Sequence, residues 1–120
     1  MRVSYIPAGS DDCPLIALID FTSAEVETLQ RVVADLATGA CRLSSLAAES
    51  TDGTTLAFRA GTKDLGIVGK GPAFECVLRP ITWGNVEGLL EPFAETPHLG
   101  HQWLDATGRV KLLITGSGKW

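Results

Sequence analysis

The sequence predicts an α+β fold: a two-layer sandwich in which a mainly antiparallel sheet carries two helices on one face. Two segments have apolar residues spaced three and four positions apart, as on one face of a helix. Several shorter segments alternate apolar with polar residues or are almost continuously apolar, as strands do. Tight turns between neighbouring strand segments favour antiparallel pairing, and amphipathic helices need a sheet face to cover.

The composition favours one globular domain. The chain has 120 residues, of which 45% are hydrophobic and 20% charged, and we expect residues 1–120 to form a single domain. The longest apolar run has the length of a strand, so no membrane span is predicted. The three cysteines are an odd number without a CxxC pair, and residues 1–12 lack a signal-peptide pattern. These features favour a soluble protein with reduced thiols in the cytoplasm.

The N-terminal third is predicted to form two strands and a helix. We expect a short strand at residues 1–6, a loop at 7–14, and a central strand at 15–21 because this last segment is almost continuously apolar. A helix follows at about 23–38. Thr22 and Glu25 have the spacing of a capping box, and Gly39 supplies the stop.

The middle of the chain is predicted to hold strands joined by turns. Residues 41–48 and 54–60 flank a Ser-Thr-Asp-Gly turn and resemble a hairpin. The glycine-rich stretch 61–72 leaves room for a strand only at 65–68. This stretch superficially resembles a phosphate-binding loop, but such a loop is followed directly by a helix, and no helix is predicted here. Residues 74–78 alternate as a further strand.

A second helix and a hairpin are predicted to complete the fold. Thr82 is the expected N-cap, and Ile81 is expected to pack on Val86 as a hydrophobic staple. Pro92 should limit or kink the end of this helix. The final hairpin is predicted from residues 102–104 and 110–115. The predicted apolar stripe of the second helix consists of Trp83, Val86, Leu90 and Phe93.

Negative charge is concentrated in the second half of the chain. The net charge is −4, and residues 81–108 contain four acids but no Lys or Arg. Such a surface repels phosphate backbones and attracts basic partners, so nucleic-acid binding is disfavoured.

The leading hypothesis is therefore a non-enzymatic module that binds a basic protein partner, such as an acidic immunity-type inhibitor of a bacterial toxin. Carboxylates would steer this partner and tryptophan would anchor it. The stretch 102–114 also resembles small bacterial proteins without indicating a family. The predicted partner-binding residues are Glu87, Glu91, Glu95, Trp103 and Asp105.

Two alternatives remain open at this point. A small enzyme or ligand-binding domain would need a site assembled in space from Asp20, His98 and His101, together with Cys13. No cofactor or metal is expected, because the two histidines lie in a predicted loop and lack further ligands of the usual spacing. A self-associating structural protein is the other alternative, suggested by a mean hydropathy of +0.17 and by apolar strands.

Overall fold

A computed structural model of the protein describes residues 1–10 and 13–120. The predicted α+β class is confirmed, since two helices pack against β-sheets. In chain order, the elements are β1 (Arg2–Ser10), β2 (Cys13–Ile19), α1 (Ser23–Thr38), β3 (Leu43–Ser45), β4 (Thr55–Ala60), β5 (Gly66–Val68), β6 (Ala73–Leu78), α2 (Pro80–Glu95), β7 (His101–Asp105) and β8 (Lys111–Thr115).

The strands form two four-stranded sheets, and each contains one parallel pair. Sheet A has the order β1-β2-β8-β7, and sheet B has the order β3-β4-β6-β5. β2 runs parallel to β8, and β4 runs parallel to β6, whereas the other pairs are antiparallel. The pairing is therefore mixed. The parallel pairs join strands that no tight turn connects, which is why turn signals did not indicate them.

The first helix begins and ends where the sequence predicts. Thr22 Oγ1 accepts from the Glu25 N–H at 3.2 Å, and Glu25 Oε1 accepts from the Thr22 N–H at 3.0 Å. Gly39 ends the helix with φ of 85°, in the left-handed region that favours glycine. A capping side chain of this kind stabilises a helix by about 1 kcal/mol.

The second helix begins three residues earlier than predicted, and its predicted cap is wrong. Arg79 is the N-cap residue without a side-chain capping bond, and Pro80 occupies the first turn, where its missing N–H costs nothing. The Thr82 hydroxyl instead donates to Asp64 Oδ2 at 2.9 Å. Ile81 is 71% exposed, so it forms no staple. Asp64 also accepts from the Arg79 backbone N–H at 2.8 Å, so it contacts the start of α2 without capping the N–H groups of the first helical turn.

The first two strands also differ from the prediction. β1 continues to Ser10 and β2 starts at Cys13, so the predicted loop at 7–14 is wrong for the residues described there. Its Asp11 and Asp12 lie outside the described residues. β2 lies between β1 and β8 and is therefore an interior strand, as expected. No helix among the described residues is long and apolar enough to cross a membrane.

The core is built from the inner faces of both sheets and from both helices. Trp83 of α2 packs edge-on against Phe58 of β4, and Phe93 of α2 packs edge-on against Phe21 before α1. Gly84, near the start of α2, faces Ala37 near the end of α1. The helices therefore run antiparallel. A smaller apolar cluster lies on the other face of sheet A and contains Leu15, Ala17 and Leu113 with Ile6, Ile19 and Trp103 around them.

Candidate partner-binding groove

A polar groove of about 330 Å³ lies between the two antiparallel helices, and we call it the interhelical groove. The α1 side contributes Glu27, Gln30, Arg31 and Ala34, and the α2 side contributes Glu87. Glu87 is half-buried, whereas Glu27 and Arg31 are exposed. Two carboxylates from different helices thus line one groove.

The negative charge continues along both helices beyond this groove. Glu91 and Glu95 follow Glu87 at spacings of four and are exposed, so they lie on roughly the same flank of α2. Asp35 follows Arg31 by four on α1 and is also exposed. We define the acidic surface as Glu27, Asp35, Glu87, Glu91 and Glu95.

The carboxylates of the acidic surface have no partner among the ion pairs of the described residues. Those pairs join Glu25 to the amino group of Met1, Asp20 to Arg2, Glu75 to Arg59 and Asp64 to Arg79. Arg31 lies in the groove, but its guanidinium donates to Thr28 Oγ1 at 3.2 Å. None of the five carboxylates is therefore in a salt bridge of the described residues, although the Arg31 guanidinium adds one positive charge to the groove.

Trp103 does not lie beside these carboxylates. It packs with Leu113 in the cluster on the outer face of sheet A, whereas the helices cover the inner face of the sheet. Its ring also lies 5.7 Å from the Lys111 ammonium. The prediction that Trp103 anchors a partner beside the glutamates of α2 is therefore wrong.

Asp105 is likewise not part of the acidic surface, because it is only 7% exposed. Its Oδ1 accepts from the Thr107 hydroxyl at 2.6 Å and from the Thr107 N–H at 3.3 Å. Its Oδ2 has no hydrogen-bond partner within the part of the chain that the structure describes. Burial, and to a smaller extent the charge of Asp105, raises the pKa of the Cys76 thiol, which favours an unreactive thiol.

Replacing Asp105 by Asn is expected to raise the free energy of unfolding by about 1 kcal/mol, because a neutral amide costs less to bury than an unpaired carboxylate oxygen. The bonds from Thr107 to the remaining oxygen are kept. Asp105→Ala removes those bonds and is expected to lower the free energy of unfolding by about 1 kcal/mol. Urea unfolding at pH 7 measures both changes. An Asp105→Asn protein less stable than the parent would show that Oδ2 is stabilised as a carboxylate.

The residues of the alternative catalytic or ligand site do not line one common cleft. Asp20 follows β2, is 63% exposed in its side chain and pairs with Arg2 at 3.2 Å. Cys13 begins the same seven-residue strand, so about 20 Å separates the two ends. His98 and His101 are exposed, and neither lines the cleft that contains Asp20. Within residues 1–10 and 13–120, no three His, Cys, Asp or Glu side chains could hold a metal together.

Sequence analysis missed the contribution of α1 to the acidic surface. Glu27, Arg31 and Asp35 repeat every four residues, a signal that is visible in the sequence. Only the antiparallel packing of the helices shows that Glu27 lies across the groove from Glu87.

Comparison with known proteins finds no matching family model, no similar curated protein and no similar solved structure.

Proposed function

We propose that this protein is a non-enzymatic binding module whose acidic surface recognises a basic partner protein. The observation that carries the proposal is the set of five carboxylates on two packed helices, none of them in an ion pair of the described residues. An immunity-type inhibitor of a basic bacterial toxin is the function of this kind that we favour. We place it in the cytoplasm, since Cys13, Cys41 and Cys76 are free thiols.

The acidic surface is expected to increase the rate of association with the partner more than it increases the affinity of the complex. Solvated carboxylates attract a cationic surface over roughly a Debye length and raise the rate of productive encounter. Each exposed ion pair adds less than about 1 kcal/mol to affinity, so several must act together. The half-buried Glu87 is the strongest single candidate, because a Lys or Arg side chain entering the groove would meet both Glu87 and Glu27 there.

The test measures binding of a fluorescent lysine decapeptide at about 10 mM and about 150 mM salt, where screening differs strongly. We expect binding at low salt that weakens at high salt. Glu91→Lys should weaken the low-salt binding several-fold, and Glu87→Lys with Glu91→Lys should abolish it.

Glu49→Lys is the matched control for Glu91→Lys, because it changes the net charge by the same amount at an exposed site outside the acidic surface. It should leave the affinity within about twofold, which is about 0.4 kcal/mol. Equal losses for Glu91→Lys and Glu49→Lys would show a response to net charge alone and would remove the acidic surface as a recognition site.

A further inference from the structure

A cleft of about 310 Å³ opens on the outer face of sheet A, which is turned away from both helices, and we call it the Asp20 cleft. Its volume lies at the lower end of the range of small-molecule sites, about 300–1,000 Å³. β1, β2 and the residue after β2 line one part of it, and residues 115–118 and 120 line the rest. None of its lining residues belongs to the interhelical groove.

The cleft exists because a pair of small side chains interrupts a row of large ones. Ser4 of β1 pairs with Ala17 of β2, and both side chains lie on the outer face of sheet A. The pair on one side of them joins Ile6 to Leu15, and the pair on the other side contains Ile19. Since alternate residues of a strand share a face, the small pair leaves a hollow between two larger pairs.

Trp120 lines this hollow and is held by bonds to two parts of sheet A. Its indole N–H donates to the Gly9 carbonyl of β1. The Thr115 hydroxyl accepts from the Gly118 N–H at 3.1 Å and donates to the Lys119 carbonyl at 2.9 Å, which fixes the turn that leads to Trp120. Trp120 is nevertheless 43% exposed, so part of its surface is accessible to a ligand.

Two polar side chains of the cleft can form hydrogen bonds with a ligand. Ser4 supplies a half-buried hydroxyl, which can both donate and accept. Asp20 supplies a carboxylate that pairs with Arg2 at 3.2 Å through Oδ2. An ionised carboxylate has about four acceptor positions, so this ion pair leaves room for bonds from a ligand.

The charges around the cleft favour a neutral ligand. Among the described residues that line the cleft, only Asp20 carries a charge. Its carboxylate repels an anion, and a cation would compete for it with Arg2. An entirely apolar ligand would take water away from Ser4 and Asp20 without replacing the lost hydrogen bonds, which costs free energy. The cleft therefore fits a neutral molecule that has an apolar face and several hydroxyl groups.

We propose that the Asp20 cleft binds a sugar ring. One face of such a ring consists of C–H groups, whose slight positive charge is attracted to the negative face of an aromatic ring such as that of Trp120. Hydroxyl groups at the edge of the sugar donate to the Asp20 carboxylate, and such bonds to a charged acceptor are stronger than neutral ones. Ser4 bonds a further hydroxyl, and Ile6 and Ile19 provide aliphatic contacts.

The experiment titrates methyl glycosides of glucose, galactose, mannose and N-acetylglucosamine, to millimolar concentration, into nitrogen-15-labelled protein and follows binding by NMR. The indole N–H signals of the three tryptophans are assigned with Trp103→Phe and Trp120→Phe. We expect at least one glycoside to shift the Trp120 indole signal and the amide signal of Ser4. The Trp83 indole signal should stay unchanged, because Trp83 is buried between α2 and β4.

Substitutions in the cleft test the role of each group. Trp120→Ala should lower the affinity for the bound glycoside at least about tenfold. Asp20→Asn should lower it several-fold, and Asn tolerates the left-handed backbone of residue 20, where φ is 51°. Ser4→Leu fills the hollow and should abolish binding. Ser45→Leu is its matched control, because Ser45 is an exposed strand residue of sheet B outside the cleft, and it should leave the affinity within about twofold.

The proposal is overturned if none of the glycosides shifts the Trp120 indole signal. It is also overturned if cyclohexanol or cyclohexylamine binds as tightly as the best glycoside, since the site would then select an apolar body or a positive charge. Unchanged glycoside binding by folded Trp120→Ala has the same meaning, and this exposed site keeps the test decisive even where Ser4→Leu unfolds the protein. Loss of decapeptide binding at the acidic surface would leave this proposal intact.

Discussion

Replacing Trp83 by Ala is expected to lower the free energy of unfolding by about 3–5 kcal/mol, the largest effect among our predictions. Trp83 is 1% exposed, and its ring packs against Phe58 with centroids 5.2 Å apart. Its Nε1–H also donates to the Arg59 carbonyl at 3.0 Å. One side chain thus attaches α2 to β4. Because domains of this size are stable by only about 5–15 kcal/mol, the variant should unfold at a much lower urea concentration.

Trp83→Phe separates the packing of this ring from its hydrogen bond. Phe keeps most of the apolar contact and leaves the Arg59 carbonyl without its donor, so a loss of about 1–2 kcal/mol is expected. Trp120→Phe is the control at an exposed tryptophan: it removes a bond from the indole to the Gly9 carbonyl where water can replace the donor, so it should change stability by less than about 1 kcal/mol. Circular dichroism during urea titration follows all three proteins. A Trp83→Ala protein within about 1 kcal/mol of the parent would contradict this account of how α2 is held.

Gly66→Ala should be the second most damaging substitution, with a loss of about 2–5 kcal/mol. Gly66 has φ of 72°, in the left-handed region that side chains with a Cβ rarely adopt. An added Cβ would also lie 2.7 Å from Asp105 Oδ2 and 2.8 Å from the Gly108 nitrogen. The substitution would therefore push β5 of sheet B away from the β7–β8 turn of sheet A.

Gly53→Ala measures the free-energy cost of the left-handed backbone alone, without a steric clash. Gly53 has φ of 77°, but an added Cβ would meet no atom within 4 Å. The expected loss is only about 1–2 kcal/mol, from left-handed strain alone. Thermal and urea unfolding of the two variants should differ by the cost of the clash. Equal losses would show that the contact between β5 and the turn adjusts freely to a methyl group.

Most of the secondary structure follows from local physical chemistry. The capping box of Thr22 and Glu25, followed by apolar residues at helical spacing, predicts α1 to the residue. The stripe of Trp83, Val86, Leu90 and Phe93 predicts the buried face of α2, and all four side chains are buried. The final hairpin also appears where alternation and turn residues place it.

The acidic surface was predicted only in part. Glu87, Glu91 and Glu95 share a flank of α2 because their spacing of four is a property of any helix. In a regular strand, successive side chains alternate between the two faces of the sheet. The bulge between Trp103 and Asp105 in β7 interrupts this alternation, so the face on which each of these side chains lies could not be predicted from the sequence. Asp105 is covered by the approach of Gly66 and Gly108, which are distant from each other in the chain.

The sequence by itself determined the existence of both helices and of most strands, because caps, turns and apolar periodicity act over a few neighbouring residues. It did not determine the continuation of β1 to Ser10 or the start of α2 at Pro80. Tertiary structure alone decided the parallel pairings of β2 with β8 and of β4 with β6, the burial of Asp105, and the position of Glu27 across from Glu87. These features depend on contacts between segments far apart in the chain. Such contacts form only when the whole core packs, and no local pattern records which segments will meet.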